Sequence, residues 1–337
     1  MILLIASLLL ILFASEGFTN GIEAFGKKHS LSQAVSGSVL AAVGTALPET
    51  ILPLVAIFFG RGDMGREIGV GAILGAPFML ATAAFFVTGL AVLAGSLAGK
   101  RKFEINVEIP TIKRDLTFFV IMFSLAVFLP LVIGGALNRA LSIIFVLGYI
   151  FYVAKTASGE SDGVEHPEGL HLSNFFKKAG LGSGDTPSNF LIISQIVITI
   201  IIMVSGAHIF VGSLESISLK FGINPMLFAL LLAPVATELP EKFNSITWIL
   251  RKRDSLALGN ITGAMVFQST FPVSIGLILT GWKLAPMAVF SACIALVSAL
   301  IILANIHIKK KISPYALLFG GMLYAIYVAA AIAHLRG

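Results

Sequence analysis

Long apolar segments, separated by short polar ones, run through almost the whole of this chain and constrain its fold more than any other feature. Of its 337 residues, 57% are hydrophobic and only 12% are charged, and the mean hydropathy is +0.97. This composition is far too apolar for a water-soluble domain and predicts an integral membrane protein. Because a backbone in lipid must satisfy its own hydrogen bonds, the segments predict an all-α fold.

A stretch of about 20 apolar residues is long enough to cross a bilayer as a helix. By this criterion we predict a polytopic membrane protein with ten transmembrane helices. The predicted spans cover residues 2–26, 31–59, 67–96, 116–136, 139–157, 189–219, 225–250, 255–281, 284–306 and 314–335.

The basic residues predict the orientation of these spans. Most of the 23 Lys and Arg residues fall in alternate connections, as at 100–102, 251–253 and 309–311. Cytoplasmic loops carry such an excess. We therefore predict a multi-pass protein of the cell membrane with both termini extracellular. The net charge of +6 reflects this loop bias and does not indicate nucleic-acid binding.

The second half of the chain repeats motifs of the first half. Gly-Thr-Ala-Leu-Pro-Glu at 44–49 returns 192 residues later as Ala-Thr-Glu-Leu-Pro-Glu at 236–241. Gly-Ala-Ile-Leu-Gly at 71–75 returns 188 residues later as Gly-Asn-Ile-Thr-Gly at 259–263. Each copy holds five spans, and since five is odd, the second copy enters the membrane from the opposite face. The repeat therefore predicts two inverted five-helix units.

These units define three regions of the chain. We assign residues 1–157 to the first repeat and residues 189–337 to the second. Residues 158–188 between them are polar and rich in Gly and Ser, which predicts a cytoplasmic linker. The acidic residues of this linker lack the regular spacing of a calcium-binding loop, so a regulatory role stays open.

Each repeated motif places a carboxylate directly after a proline inside an apolar span. A carboxylate at the bilayer centre costs at least about 2.5 kcal/mol, and a helix-interior proline removes a backbone hydrogen bond. We predict that helices 2 and 7 are broken at Pro48 and Pro240 and that Glu49 and Glu241 meet near the membrane midplane. Carbonyl oxygens one turn earlier, near Thr45 and Thr237, would complete a cation site; such oxygen ligands suit calcium, sodium or protons.

Other polar residues in the spans receive smaller roles. Glu238 and Gln268 are candidates for a co-ion or proton site, although Glu238 is equally consistent with a carboxylate facing a cavity or an amide. Glu23 and Glu215 are expected in water near span ends. We assign Thr82 to helix packing, whereas Thr262 and Thr270 are candidates to line a pathway or to pack between helices.

The doubled motif resembles the two α-repeats of the calcium/cation antiporter superfamily, especially its sodium/calcium exchanger branch, over essentially all ten spans. The resemblance implies that spans 2, 3, 7 and 8 form the ion site while spans 1 and 6 slide across them. It implies that Glu49 and Glu241 supply carboxylates to calcium, and that Thr45 and Thr237 supply backbone carbonyls.

Some residues depart from the pattern of that branch. Ala46 and Glu238 stand where small polar residues are usual, and Leu80 and Gln268 stand where a further amide or acid is usual. Sodium is therefore the first expectation for the co-ion, and a proton/calcium antiporter remains the alternative.

The function expected from this resemblance is secondary active exchange of calcium for sodium by alternating access, with no enzymatic activity. No cofactor is expected besides the transported calcium and sodium, or protons. The expected partners are these ions and the lipid bilayer, with no nucleic acid and no obligate protein partner. An intramembrane enzyme or a passive cation channel is the alternative from a different class.

Overall fold

The protein was analysed as a computed structural model, and every element in the described part of the chain is a helix. The described residues are 2–29, 41–133, 135–156, 170–171 and 188–336. The side chains of residues 41–46, 135–136, 236, 239–242 and 336 lie outside the description.

The helices follow one another with short connections. They are α1 (Ile2–Lys28), α2 (Ala41–Phe59), α3 (Gly62–Met79), α4 (Phe85–Leu97), α5 (Ile109–Ile133), α6 (Gly135–Thr156), α7 (Asn189–Phe221), α8 (Pro225–Leu250), α9 (Asp254–Gln268), α10 (Phe271–Leu279), α11 (Pro286–Lys309) and α12 (Pro314–Arg336). A π-helical turn, Leu80–Ala84, joins α3 to α4, so that the two form one continuous helical unit.

Eight helical units in the described part of the chain are long and apolar enough to cross a membrane. They are α1, the α3–α4 unit, α5, α6, α7, the α9–α10 unit, α11 and α12. Shorter apolar stretches occur in α2 and α8, at Leu47–Phe59 and Pro225–Val235. The all-α class is therefore confirmed, whereas the count of ten spans remains a prediction.

Large apolar side chains cover much of the outer surface. Phe13, Val132, Phe151 and Phe190 are each more than 60% exposed, although all of them lie in long apolar helices. Exposed apolar surface of this extent marks a site of contact with lipid or protein. Together with the apolar helices, it indicates a multi-pass membrane protein.

The predicted breaks at Pro48 and Pro240 are wrong as interruptions of the helix. Helix α2 continues through Pro48, and α8 continues through Pro240. Each proline removes only one amide donor, and the remaining hydrogen bonds on both sides keep the helix continuous. The helical irregularities lie instead in the third and eighth predicted spans, at the π-helical turn and at Ser269–Thr270 between α9 and α10.

Glycines bring the backbones of α3 and α8 into direct contact. A Cβ atom at Gly71 would overlap the carbonyl oxygen of Met226. At Gly75 it would overlap the carbonyl oxygen of Leu230 and lie 2.8 Å from Pro234 Cγ. Small residues permit this approach between membrane helices. The repeated Gly-x-x-x-Gly spacing thus holds the two helices together in the first repeat.

Helices α1 and α7 pack along each other, and both contact α2 and α8. The Nε2 atom of Gln195 on α7 donates to the carbonyl of Gly17 and to Asn20 Oδ1 on α1, at 2.8 and 2.9 Å. Asn20 Oδ1 also accepts from the amide of His171, 3.0 Å away. These bonds join α1, α7 and the two described residues between the repeats, 170–171. The rest of the predicted linker lies outside the described residues.

Glu215 is not in water, contrary to the sequence-based expectation. It is buried on α7, where its carboxylate accepts from the backbone amide of Arg61 at 2.6 Å and lies 3.4 Å from Arg61 Nε. This contact fastens the turn between α2 and α3 to α7. A second buried ion pair, Arg101 with Asp254 at 2.7 Å, fastens the segment after α4 to the start of α9.

Replacing Gly75 by Ala should separate α3 from α8. The added methyl group overlaps backbone that cannot move cheaply, so we expect a loss of about 1–3 kcal/mol, seen as a lower midpoint of thermal unfolding in detergent. Gly212→Ala is the matched control, because no described atom lies within 4 Å of a Cβ at this helical position. It should leave the midpoint unchanged or raise it. Equal midpoints for the two variants would contradict the close packing.

Candidate functional site

Four helices with the repeated motifs assemble at the centre of the described fold. Helix α2 packs on α3, α8 packs on both of them, and α9 packs on α8 and α3. The Pro-Glu motifs lie on α2 and α8, and the glycine motifs lie on α3 and α9. The packing therefore brings the elements of both repeats together.

Glu49 is buried in α2 one residue after the helix-interior Pro48. Its side chain is only 6% exposed, and Leu52 and Val55 on the next turns are also buried. Thr45 lies in the same helix one turn earlier, and its side chain is outside the description. Glu49 thus combines a charged group with burial inside an apolar helix, which is rare unless the carboxylate has a role.

Helix α8 carries the second acidic motif. Glu238 is fully buried at 0% exposure, and Thr237 is buried with its hydroxyl 3.4 Å from the carbonyl oxygen of Ala233. Glu241 lies three residues beyond Glu238 on the same continuous helix, and its side chain is outside the description. Residues three apart share a helix face, so Glu238 and Glu241 lie on one side of α8.

The search for metal-binding clusters covers only part of this motif. Among the described side chains, no group of three or more His, Cys, Asp or Glu is close enough to hold a metal ion. Glu241 falls outside that search. The predicted meeting of Glu49 and Glu241 therefore stays a prediction.

Gln268 is the last residue of α9 and lies at the irregular part of the eighth predicted span. It is 1% exposed, and within the described part of the chain its Nε2 atom has no hydrogen-bond partner. Ser269 and Thr270, which follow it, are fully buried. A buried amide beside interrupted helix is a suitable place for a polar ligand or a water molecule.

The π-helical turn and the interruption occupy equivalent places in the two repeats. Adding 188 to Leu80–Ala84, the shift that aligns the glycine motifs, gives residues 268–272, which contain the interruption. Thr82 Oγ1 donates to the carbonyl of Phe78 at 2.5 Å. Its counterpart, Thr270 Oγ1, donates to the carbonyl of Val266 at 2.8 Å. The same hydroxyl therefore serves the same irregular turn in both halves.

Sequence reasoning missed the role of Thr82, which it assigned to packing. Extending the 188-residue shift a few positions beyond the glycine motif would have paired Thr82 with Thr270. The turn also frees a carbonyl, because Ala81 O accepts a hydrogen bond from Ser298 of α11. Irregular turns of this kind inside helices occur frequently at functional sites.

Asp115 on α5 was also missed, and it connects α9 to the helices behind it. Its carboxylate, 2% exposed, accepts from Thr262 Oγ1 of the second glycine motif at 2.9 Å. The other oxygen accepts from Tyr152 on α6 at 2.9 Å and from Arg114 at 3.0 Å. Thr262 is thus fixed in orientation by a buried carboxylate from another part of the bundle.

Together these groups provide oxygen ligands and negative charge inside a membrane protein. Glu49, Glu238, Thr237 and Gln268 are buried on neighbouring helices, and all carry oxygen atoms. Carboxylate, carbonyl and amide oxygens favour hard cations, whereas the thiolate and imidazole ligands of zinc or copper are not among the described residues here. The arrangement is chemically suited to binding small cations or protons.

Comparison with known proteins places the chain among ion exchangers. The model of a family described as "Sodium/calcium exchanger protein" matches residues 1–156 and 191–334. The putative antiporter CaxA of Alkalimonas amylolytica is 25% identical over 280 residues, covering 82% of this chain and 80% of that protein.

Two solved structures resemble the fold over nearly the whole chain. The H⁺/Ca²⁺ exchanger CAX matches with a TM-score of 0.73 and 18% identity, covering 99% of this chain and 87% of CAX. The sodium-calcium exchanger NCX_Mj, soaked with Na⁺ and Sr²⁺, matches with a TM-score of 0.58 and 19% identity, covering 97% of this chain and 98% of that chain. At these identities the likeness concerns the fold alone.

Thr262→Val should destabilise the protein by removing the donor to Asp115 while keeping the shape of the side chain. A buried acceptor that loses its donor costs about 1–3 kcal/mol. The midpoint of thermal unfolding in detergent should fall for Thr262→Val and stay near that of the wild type for Thr262→Ser, which keeps the hydroxyl. A Thr262→Val protein as stable as wild type would remove the Asp115 bond from the set of contacts that hold α9.

Proposed function

Because this chain belongs to the sodium/calcium exchanger protein family, a family of transporters and not of enzymes, we propose that it exports calcium in exchange for sodium as a secondary active antiporter. The single observation that carries the proposal is the burial of Glu49 and Glu238 in α2 and α8, which pack together in an apolar helical protein. Buried carboxylates at membrane depth are costly and usually mark an ion pathway.

We propose further that the chain forms ten transmembrane helices as two inverted repeats. The packing partners support this, because they come in matched pairs. Helix α5 packs on α9 as its counterpart α11 packs on α3, and α4 packs on α12 as its counterpart α10 packs on α6. Each pair maps onto the other when the second repeat is laid on the first, as an internal two-fold axis requires.

In the proposed site, Glu49 and Glu241 supply the carboxylates, and Thr45 and Thr237 supply backbone carbonyls. Pro48 and Pro240 support this arrangement although their helices are continuous. Each proline lacks the amide that would bond to the carbonyl four residues earlier, at Gly44 and Ala236, so polar backbone becomes accessible next to each threonine. Two carboxylates would balance one divalent cation.

Transport by this site would proceed by alternating access. One calcium ion, or the counter-ions that replace it, neutralises the carboxylates and permits the protein to switch its opening from one face to the other. An empty site should resist the switch, because enclosing uncompensated charges away from water costs several kcal/mol per ion. This requirement ties the outward movement of calcium to the inward movement of the co-ion.

A proton is the second candidate for the co-ion, and Glu238 favours it. This carboxylate is fully buried, lies beside Thr237, and shares a helix face with Glu241. A carboxylic acid in such a place can carry a proton across the membrane. Gln268, also buried, is the second residue proposed for a co-ion or proton site.

The proposed orientation places the protein in the cell membrane with both termini outside. The basic connections at 100–102, 251–253 and 309–311 support this assignment, because cytoplasmic loops are enriched in Lys and Arg.

Glu49→Gln and Glu241→Gln should each abolish calcium uptake into proteoliposomes, because an amide keeps the size of the side chain and removes the charge that balances calcium. Uptake is measured with an imposed counter-ion gradient, and a monodisperse elution profile confirms folding. Glu104→Gln, at an exposed acid outside the helices, is the control and should transport normally. Normal exchange by Glu49→Gln or Glu241→Gln would refute the shared site.

Calcium flux under a sodium gradient and under a pH gradient, imposed separately, tests the co-ion. We expect the sodium gradient to drive uptake in the wild type. If the pH gradient drives it instead, the proton alternative is correct, and Glu238→Gln should then reduce uptake at least tenfold. Equal activity of wild type and Glu238→Gln under both gradients would remove Glu238 from the mechanism.

A further inference from the structure

A cavity of about 450 Å³ lies between α5 and α6, at the end of these helices where α5 begins and α6 finishes. Its volume is within the range of roughly 300–1,000 Å³ that is usual for small-molecule sites. It lies on the far side of Asp115 and Tyr152 from α9 and belongs to neither Pro-Glu motif. The lining residues are Pro110, Lys113, Arg114, Thr117, Phe118, Ile121, Phe151, Tyr152 and Lys155.

Three basic side chains surround one part of this cavity. Lys113 and Lys155 are exposed, and Arg114 is partly exposed. Asp115 is the acidic contact of Arg114, with hydrogen bonds to its Nε and Nη2 at 3.1 and 3.0 Å. Three positive charges thus face one carboxylate, which leaves this part of the cavity with an excess of positive charge.

The arginine is held in place before any ligand arrives. Besides its bonds to Asp115, its guanidinium lies 5.3 Å from the centre of the Tyr152 ring. Tyr152 is itself fixed by its hydrogen bond to Asp115. An anion that binds here would therefore meet an oriented donor group and would immobilise only the two lysines, which lowers the entropic cost of binding.

The remaining wall is apolar and faces outward. Phe118, Ile121 and Phe151 line the cavity towards the middle of the helices, and Ile121 and Phe151 are 54% and 65% exposed. In a membrane-spanning protein, such surface contacts hydrocarbon. The cavity therefore offers basic groups near the helix ends and an apolar wall at greater depth.

We propose that this cavity binds an anionic phospholipid of the surrounding bilayer. The headgroup phosphate lies among Lys113, Arg114 and Lys155, and one acyl chain lies along Phe118, Ile121 and Phe151. Basic residues at a membrane surface attract anionic lipids, and pockets between transmembrane helices that carry them bind such headgroups. A free phosphate ion would use the same basic groups, but it would leave the apolar wall without a partner.

Lipid binding to the purified, delipidated full-length protein tests this site. Phosphatidylglycerol is titrated in detergent, with binding measured by native mass spectrometry and by the midpoint of thermal unfolding; phosphatidylcholine serves as the neutral lipid. We expect phosphatidylglycerol to bind and to raise the midpoint. Lys113→Gln with Lys155→Gln should weaken that binding roughly tenfold or more, because it removes two of the three cations.

Matched variants make the outcome decisive. Lys309→Gln with Lys311→Gln removes the same charge from exposed positions at the end of α11 and should leave binding unchanged. Lys113→Arg with Lys155→Arg keeps the charge and should bind like the wild type. Equal losses in both glutamine pairs, or no loss in either, would overturn the proposal.

A last arm distinguishes a lipid from a free anion. Inorganic phosphate is titrated alone under the same conditions. Lipid binding at the cavity predicts no rise in the unfolding midpoint at phosphate concentrations equal to those of phosphatidylglycerol. A rise equal to that produced by the lipid would identify a phosphate site and refute the lipid.

Discussion

The lack of hydrogen-bond partners in the lipid interior is the constraint on which the rest of this structure depends. Every backbone amide and carbonyl at membrane depth needs a partner within the protein, which is why the described elements are helices. The same constraint explains where the irregular backbone lies. The π-helical turn Leu80–Ala84 and the interruption at Ser269–Thr270 are buried between helices, where Thr82, Thr270 and Ser298 bond to nearby carbonyls.

Charged side chains obey the same rule. Asp115 and Asp254 are buried, and each has at least two donors: Tyr152 and Thr262 for the first, Arg101 and the amide of Asn106 for the second. Such contacts make the surrounding helices rigid. The carboxylates of Glu49 and Glu238 lie within this framework, held by helices whose mutual positions are set by glycines and buried ion pairs.

Much of the architecture could be predicted from the sequence because it leaves periodic or repeated signals. Long apolar runs predict the membrane helices, and the two glycine motifs predict equivalent helices in the two halves. The prolines misled the prediction, since a missing amide is readily visible in sequence while the compensating bonds of the helix are not. Pro48 and Pro240 therefore suggested breaks in helices that are continuous.

Long-range contacts escaped the sequence for a physical reason. The partners Asp115 and Thr262, or Arg61 and Glu215, are separated by about 150 residues and follow no helical spacing, so only the packed bundle brings them together. Glu215 was expected in water because acids near span ends are usually hydrated. The burial of Glu49, in contrast, followed directly from its place in an apolar span.

The length of α7 has a consequence for the membrane in which the protein resides. With 33 residues, this helix extends over about 50 Å, whereas the hydrocarbon layer is about 30 Å thick. It must either lean steeply or extend beyond the lipid, and α1, packed along it, must adopt a matching inclination. A thinner or thicker bilayer would change that inclination. The thickness of the host membrane thereby becomes a mechanical load on the α1–α7 pair, transmitted to the core through its contacts with α2 and α8.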